Sequence, residues 1–127
     1  MVEQYLLDSN VVSDYLSGKL PSKSLDFIDG IINNDRANLS IMSRIELLGY
    51  VSPMSNIINA FVGYSNIFDL TEEIVSKTIA LRRSRSIKIP DAIIASTAIV
   101  NQLTLITHNT SDFKKIQGLK IRDSYDL

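Results

Sequence analysis

Short apolar runs of strand length recur along this chain, and almost every one gives way at once to capping residues and then to apolar positions at helical spacing. No other feature restricts the fold as strongly. Strands that alternate with helices build a mostly parallel sheet with helices on both faces. The runs fall at residues 2–7, ending in Tyr5-Leu6-Leu7, and at 37–42, 67–70, 103–107 and 119–122. Asp8-Ser9-Asn10 caps a helix through Val11, Val12, Tyr15 and Leu16, with Gly18 as its stop. Pro21-Ser22 opens a second through Phe27, Ile28 and Ile31, which fades at Asn33. Ser43 starts a third with Leu47 and Leu48, and Pro53 a fourth with Ile57, Ile58, Phe61 and Val62. Thr71 caps a fifth to about Ser86, and Pro90, a favoured first-turn residue, starts a sixth to about Gln102.

The expected architecture is therefore α/β: one domain spanning 1–127, with about five mostly parallel strands and helices on both faces. With 127 residues, 45% of them hydrophobic, the chain can build a core without staples. The absence of cysteine excludes disulfides, thiolate metal sites and a cysteine nucleophile, and the single histidine, His108, excludes a multi-histidine metal site. A net charge of -1 gives no bulk positive field, so contact with nucleic acid would need a local basic patch. Neither a GxGxxG nor a GxxxxGK[ST] pattern occurs. Glu3 and Gln4 sit where a secretory signal needs basic residues, and no apolar run is long enough to span a bilayer, so a soluble, cytoplasmic protein is expected.

In such sheets ligands bind beyond the carboxyl ends of the strands. Asp8 directly follows the first strand, and Glu46 lies just past the second, in the first turn of its helix. Asp112 follows the strand ending at Thr107, and Asp91 opens the Pro90 helix. Glu46 is flanked by Ile45, Leu47 and Leu48, and Asp91 shares a side with Ile94, Ala95 and Ala98. A carboxylate in such company is unfavourable unless paired or metal-bound. An all-oxygen set suits Mg²⁺ or Mn²⁺, which can activate water for in-line attack on phosphorus. Each acid also has a plainer role open to it. Ser43-Arg44-Ile45-Glu46 matches a capping box, Asp8 can cap a helix, Asp91 can complement its helix dipole, and Asp112 can serve another short cap.

Taken together, Tyr5-Leu6-Leu7-Asp8-Ser9-Asn10, Ser43-Arg44-Ile45-Glu46-Leu47, Ile89-Pro90-Asp91-Ala92-Ile93-Ile94-Ala95 and Leu105-Ile106-Thr107-His108-Asn109-Thr110-Ser111-Asp112-Phe113 resemble the PIN domain. Within it, the likeness is to the VapC-type toxins of bacterial and archaeal toxin–antitoxin pairs, and it covers almost the whole chain. The resemblance implies a Mg²⁺- or Mn²⁺-dependent endoribonuclease that cuts single-stranded segments of structured RNA. It implies Asp8, Glu46 and Asp91 as the core acids and Asp112 as a more variable fourth. Ser9 or Asn10 would hold a ligand or water, and Thr107 would line the site. It also implies a homodimer and an antitoxin whose C-terminal segment blocks the site. One position departs from the pattern: many relatives carry an acid where this chain has Asn109, which counts against a second tightly held metal.

Arg82, Arg83, Arg85 and Lys88 cluster before Pro90, either as a phosphate-binding rim that positions substrate, Arg85 foremost, or as a solvated helix end. His108 can be read as a general acid or as an incidental turn residue. Asp14 reads as solvated, and Tyr50 and Tyr64 as core aromatics or base-stacking residues. The apolar Pro90 helix either packs deep on the sheet or also forms a subunit contact. Two other functions compete with the nuclease. A small-molecule phosphohydrolase using Asp8 as nucleophile usually has a second Asp two positions on, where this chain has Asn10. A non-catalytic interaction module, either a PIN fold kept for binding or a receiver-like domain, is the other; a receiver carries a Lys after a late strand, where this chain has His108 and Asn109.

Overall fold

The computed structural model describes residues 2–127. The elements run in the order β1 (Tyr5–Leu7), α1 (Ser9–Leu16), α2 (Ser22–Asn34), β2 (Asn38–Ser40), α3 (Ile41–Leu48), α4 (Ser55–Tyr64), β3 (Asn66–Phe68), α5 (Glu72–Ser84), α6 (Ile89–Val100), β4 (Thr104–Thr107), α7 (Thr110–Phe113) and β5 (Ile121–Asp123). All pairings are parallel, and they form a sheet in the order β1-β4-β5 and a smaller one of β2 and β3. The two sheets abut where β2 runs beside β1. No backbone ladder joins them. Instead the Asn38 side-chain amide donates to the Tyr5 carbonyl at 2.9 Å and accepts from the Asn66 amide at 3.2 Å.

The period-2 pleat sorts the strand residues into two cores. Leu7, Ile106 and Leu39 face one side, where they meet Val11, Val12, Ile28, Leu47, Ile58 and Val62 of α1 to α4. Leu6 and Leu105 face the other, against Leu81, Ile94, Ala95, Ala98, Phe113 and Ile116 of α5 to α7 and the segment that follows. Helices therefore cover both faces, as the alternation predicts.

The Pro90 helix, α6, is buried continuously from Ala92 to Ala98 within the single chain, packed along α5. That stretch is not free for a subunit contact. Several of the exposed apolar residues gather at the end of α3, in the connection that follows and in α4: Ile45, Leu48, Tyr50, Val51 and Ile57; others, such as Leu70, Ile79 and Ile89, are scattered. Tyr50 and Tyr64 belong to the surface rather than the core, and Arg36 lies over the Tyr64 ring at 5.0 Å. Asp14 is not simply solvated, because the Tyr125 hydroxyl donates to it at 3.1 Å. Among the described residues, no helix is long and apolar enough to cross a membrane.

Candidate active site

β1, β2 and β4 each give way to a helix within two residues, β1 through Asp8, β2 directly at Ser40, and β4 through His108 and Asn109. Asp8 is the hinge of the first junction. It is the N-cap of α1, its Oδ1 accepting from the Ser9 N–H at 2.8 Å. Capping leaves the other oxygen available. Oδ2 accepts from the Thr107 hydroxyl at 2.8 Å and from the Asn10 side-chain amide at 3.2 Å. Asp8 is only 5% exposed, and among the described residues no cation pairs with it. Burial pushes its pKa up, while the bonds from Thr107, Ser9 and Asn10 pull it down; the net shift is upward.

The second junction overturns the capping-box reading of Ser43 to Glu46. The cap of α3 is Ser40, whose Oγ accepts from the Ser43 N–H at 3.0 Å. The helix therefore begins two residues before Ser43, and Glu46 sits in its second turn with no cap to serve. Glu46 instead receives the Ser9 hydroxyl at 3.2 Å, a bond that links α3 to the start of α1. Much of the Glu46 side chain is exposed. Even so, partial burial of its carboxylate and the charges of Asp8 and Asp91 raise its pKa, against the lowering effect of Ser9.

Asp91 occupies the first turn of α6, one residue beyond Pro90. Burial raises its pKa first, then the charges of Asp112 and Asp8, while Lys88 opposes them. Asp112 lies in α7, a four-residue helix that the hydrophobic pattern is too short to reveal; Phe113, 1% exposed, anchors that turn to the core. Asp112 accepts from the Asn109 side chain, so Asn109 serves to orient the neighbouring acid.

The structure thus brings Asp8, Glu46, Asp91 and Asp112 into one mutually repelling group, with Asn10 and Thr107 bonded directly to Asp8. Arg85 is not part of that group. It caps the end of α5 half-buried; among the described residues its buried Nε has no partner and it forms no ion pair. The cation that acts on Asp91 is Lys88. Arg82 donates to the Ile87 carbonyl at 2.6 Å and holds the α5–α6 turn. Among the described residues, no three acidic or histidine side chains are gathered into a ready-made metal cage. A hydrated Mg²⁺ does not need one, since it keeps several waters and binds through one or two carboxylates. A buried carboxylate without a cation, surrounded by repelling acids and hydroxyl oxygens, fits such an ion.

Sequence reasoning missed the surroundings of His108. Its backbone N–H donates to Asn10 Oδ1 at 3.3 Å, its Nδ1 lies 3.0 Å from Asp123 Oδ1, and its ring sits 4.0 Å from that of Tyr125. The register that pairs Thr107 with Asp123 was the missing information.

Comparison with known proteins bears on the fold and the family. A search of curated protein sequences gave no match. Among solved structures, a chain of a toxin–antitoxin complex from Klebsiella pneumoniae superposes with a TM-score of 0.75 at 25% identity, covering 98% of this chain and 100% of its own. FitAcB from Neisseria gonorrhoeae (TM-score 0.78, 22% identity, 98% and 100% covered) shares the fold. So does VapBC2 from Rickettsia felis bound to a DNA fragment from its promoter (0.77, 23%, 94% and 97%). The PIN domain model matches residues 5–119, a span that holds all four acids. With this match over most of its length, the chain belongs to the PIN domain family.

Proposed function

We propose that this protein is a metal-dependent endoribonuclease, the toxin of a toxin–antitoxin pair of the VapC type, hydrolysing RNA phosphodiester bonds. The observation that carries this reading is Asp8: a buried carboxylate, bonded by Thr107 and Asn10, with Glu46, Asp91 and Asp112 around it and no cation among the described residues paired to it. Mg²⁺ or Mn²⁺ would be held by Asp8 and Asp91, with Glu46 and Asp112 acting directly or through water. When bound, such an ion supplies a more acidic water and positive charge against the phosphate.

The chain's own residues do the positioning. Thr107 and Asn10 fix the Asp8 carboxylate, Ser9 fixes Glu46, and Asn109 fixes Asp112. Lys88 and Arg85, at the turn before Asp91, would hold the RNA backbone. An antitoxin partner belongs to this reading, supported by the toxin–antitoxin complexes among the structural neighbours. So does a homodimer, supported by the exposed apolar residues of α3 and α4. The decisive experiment is cleavage of single-stranded RNA with Mg²⁺ or Mn²⁺. Asp8→Asn and Asp91→Asn should each abolish it with the fold retained. Undiminished cleavage by either variant, freed of contaminating nuclease, would remove that residue from the site.

A further inference from the structure

We infer that His108 is a stacking platform for a nucleobase of the RNA, beside the phosphate to be cleaved. The inference rests on the nuclease reading above and adds a positioning residue outside the acids. His108 follows Thr107 directly, and its backbone is tied to Asn10, which in turn bonds Asp8. The residue therefore stands next to the acidic group, one position after Thr107. Its ring is tethered as well. Asp123 Oδ1 takes the ring Nδ1 at 3.0 Å and the Tyr125 N–H at 3.0 Å, and the Tyr125 hydroxyl is anchored on Asp14 at 3.1 Å. Tyr125 covers one face of the imidazole, with centroids 4.0 Å apart and planes tilted by 32°. The side chain nonetheless remains 53% exposed, which leaves ring surface for a base to cover. A half-exposed aromatic ring, backed by a second ring and tethered through Nδ1 beside the acidic group, suits an unstacked base.

A latch that merely ties the C-terminal segment to β4 would use the Nδ1 bond and would not need the exposed ring surface. His108→Phe separates the two roles, because it keeps the ring and loses the bond to Asp123. The measurements use the full chain and a short single-stranded RNA carrying 2-aminopurine, whose fluorescence is quenched on stacking. His108→Ala should raise KM by roughly five- to one-hundred-fold, the range of one base stack, with kcat changed little, and should lose the quench. His108→Phe should restore both. Phe behaving like Ala, or Ala behaving like wild type, overturns the platform. The quench is read in EDTA and does not depend on cleavage. A chain that quenches through His108 yet never cuts RNA would support the platform and overturn the nuclease reading. Cleavage that is indifferent to His108→Ala would do the reverse.

Discussion

The Thr107 hydroxyl donates to Asp8 Oδ2 at 2.8 Å across a sequence separation of 99 residues, and both side chains are buried. The same hydroxyl accepts from the Asn109 N–H at 3.0 Å. One side chain thus fixes the central carboxylate and the turn that leads to Asp112. Thr107→Val keeps the shape and removes both bonds. It should destabilise the chain by about 1–3 kcal/mol, as expected when buried partners are left unpaired, and weaken metal-dependent cleavage by roughly 10- to 100-fold, as for other partners that orient a metal ligand. Thr107→Ser should retain most of both. Denaturant unfolding and cleavage rates on the three proteins check this, and equal values for Val and Ser would contradict it.

The acids should govern the pH dependence of the metal-free chain. Asp8, Glu46 and Asp91 have raised pKa values. A carboxyl whose folded value is raised contributes stability that is complete below the unfolded value near 4 and is lost as pH rises through the folded value. Burial also pushes Asp123 up, but the bonds from His108 and the Tyr125 N–H outweigh it, so its contribution runs the other way and is lost as pH falls. In EDTA, Asp91→Asn should therefore be more stable than wild type at neutral pH. The gain should stay below about 1 kcal/mol, because partial exposure screens the charge and the helix dipole of α6 offsets part of it. The difference should vanish towards roughly pH 4. Thermal unfolding across that range decides it; an advantage that grows on acidification would reverse the sign of the argument.

What the sequence could disclose depended on the range of each cause. Asp8 after β1, the Thr71 cap and the Pro90 start are local signals, and the structure keeps all three. Apolar neighbours single out Glu46 as a candidate, while its helix begins at Ile41 and not at Ser43 as the pattern predicts. Ser40 and Ser43 are both competent caps, and only packing, which buries both, chooses between them. α7 has four residues and cannot show a period. The His108–Asp123–Tyr125 cluster and the Tyr125–Asp14 bond depend on strand register and on where the last residues fold back, which no local pattern encodes.

Gln102 has φ of 56°, the left-handed conformation, and closes α6 with Leu103 N–H donating to the Ala98 carbonyl at 2.8 Å. Glycine is the usual residue at such a helix end. The Gln102 side chain is exposed, and among the described residues it makes no hydrogen bond that a glycine would lose. Gln102→Gly should therefore stabilise the chain by about 0.5–1 kcal/mol, the left-handed penalty less the extra freedom of glycine when unfolded. Chemical denaturation showing a loss of stability would mean that the turn is held by contacts beyond its backbone bonds.

Metal should act on the fold itself, whether or not RNA is present. An ion that binds only the folded chain stabilises it by mass action, by about 1.4 kcal/mol at ten times its dissociation constant, or roughly 4–8 °C in Tm for a chain of this size. Mg²⁺ should produce that rise in wild type. Asp8→Asn and Asp91→Asn should lose it, since each removes a carboxylate from the group whose mutual repulsion the ion relieves. Any salt relieves part of that repulsion by screening, so the comparison is made against NaCl at equal ionic strength. Thermal scans of the three proteins give the answer without any assay of cleavage. A rise in wild type that NaCl reproduces, or that Asp8→Asn retains in full, would show that the carboxylates repel one another without forming a metal site, and the nuclease reading would lose its chemistry.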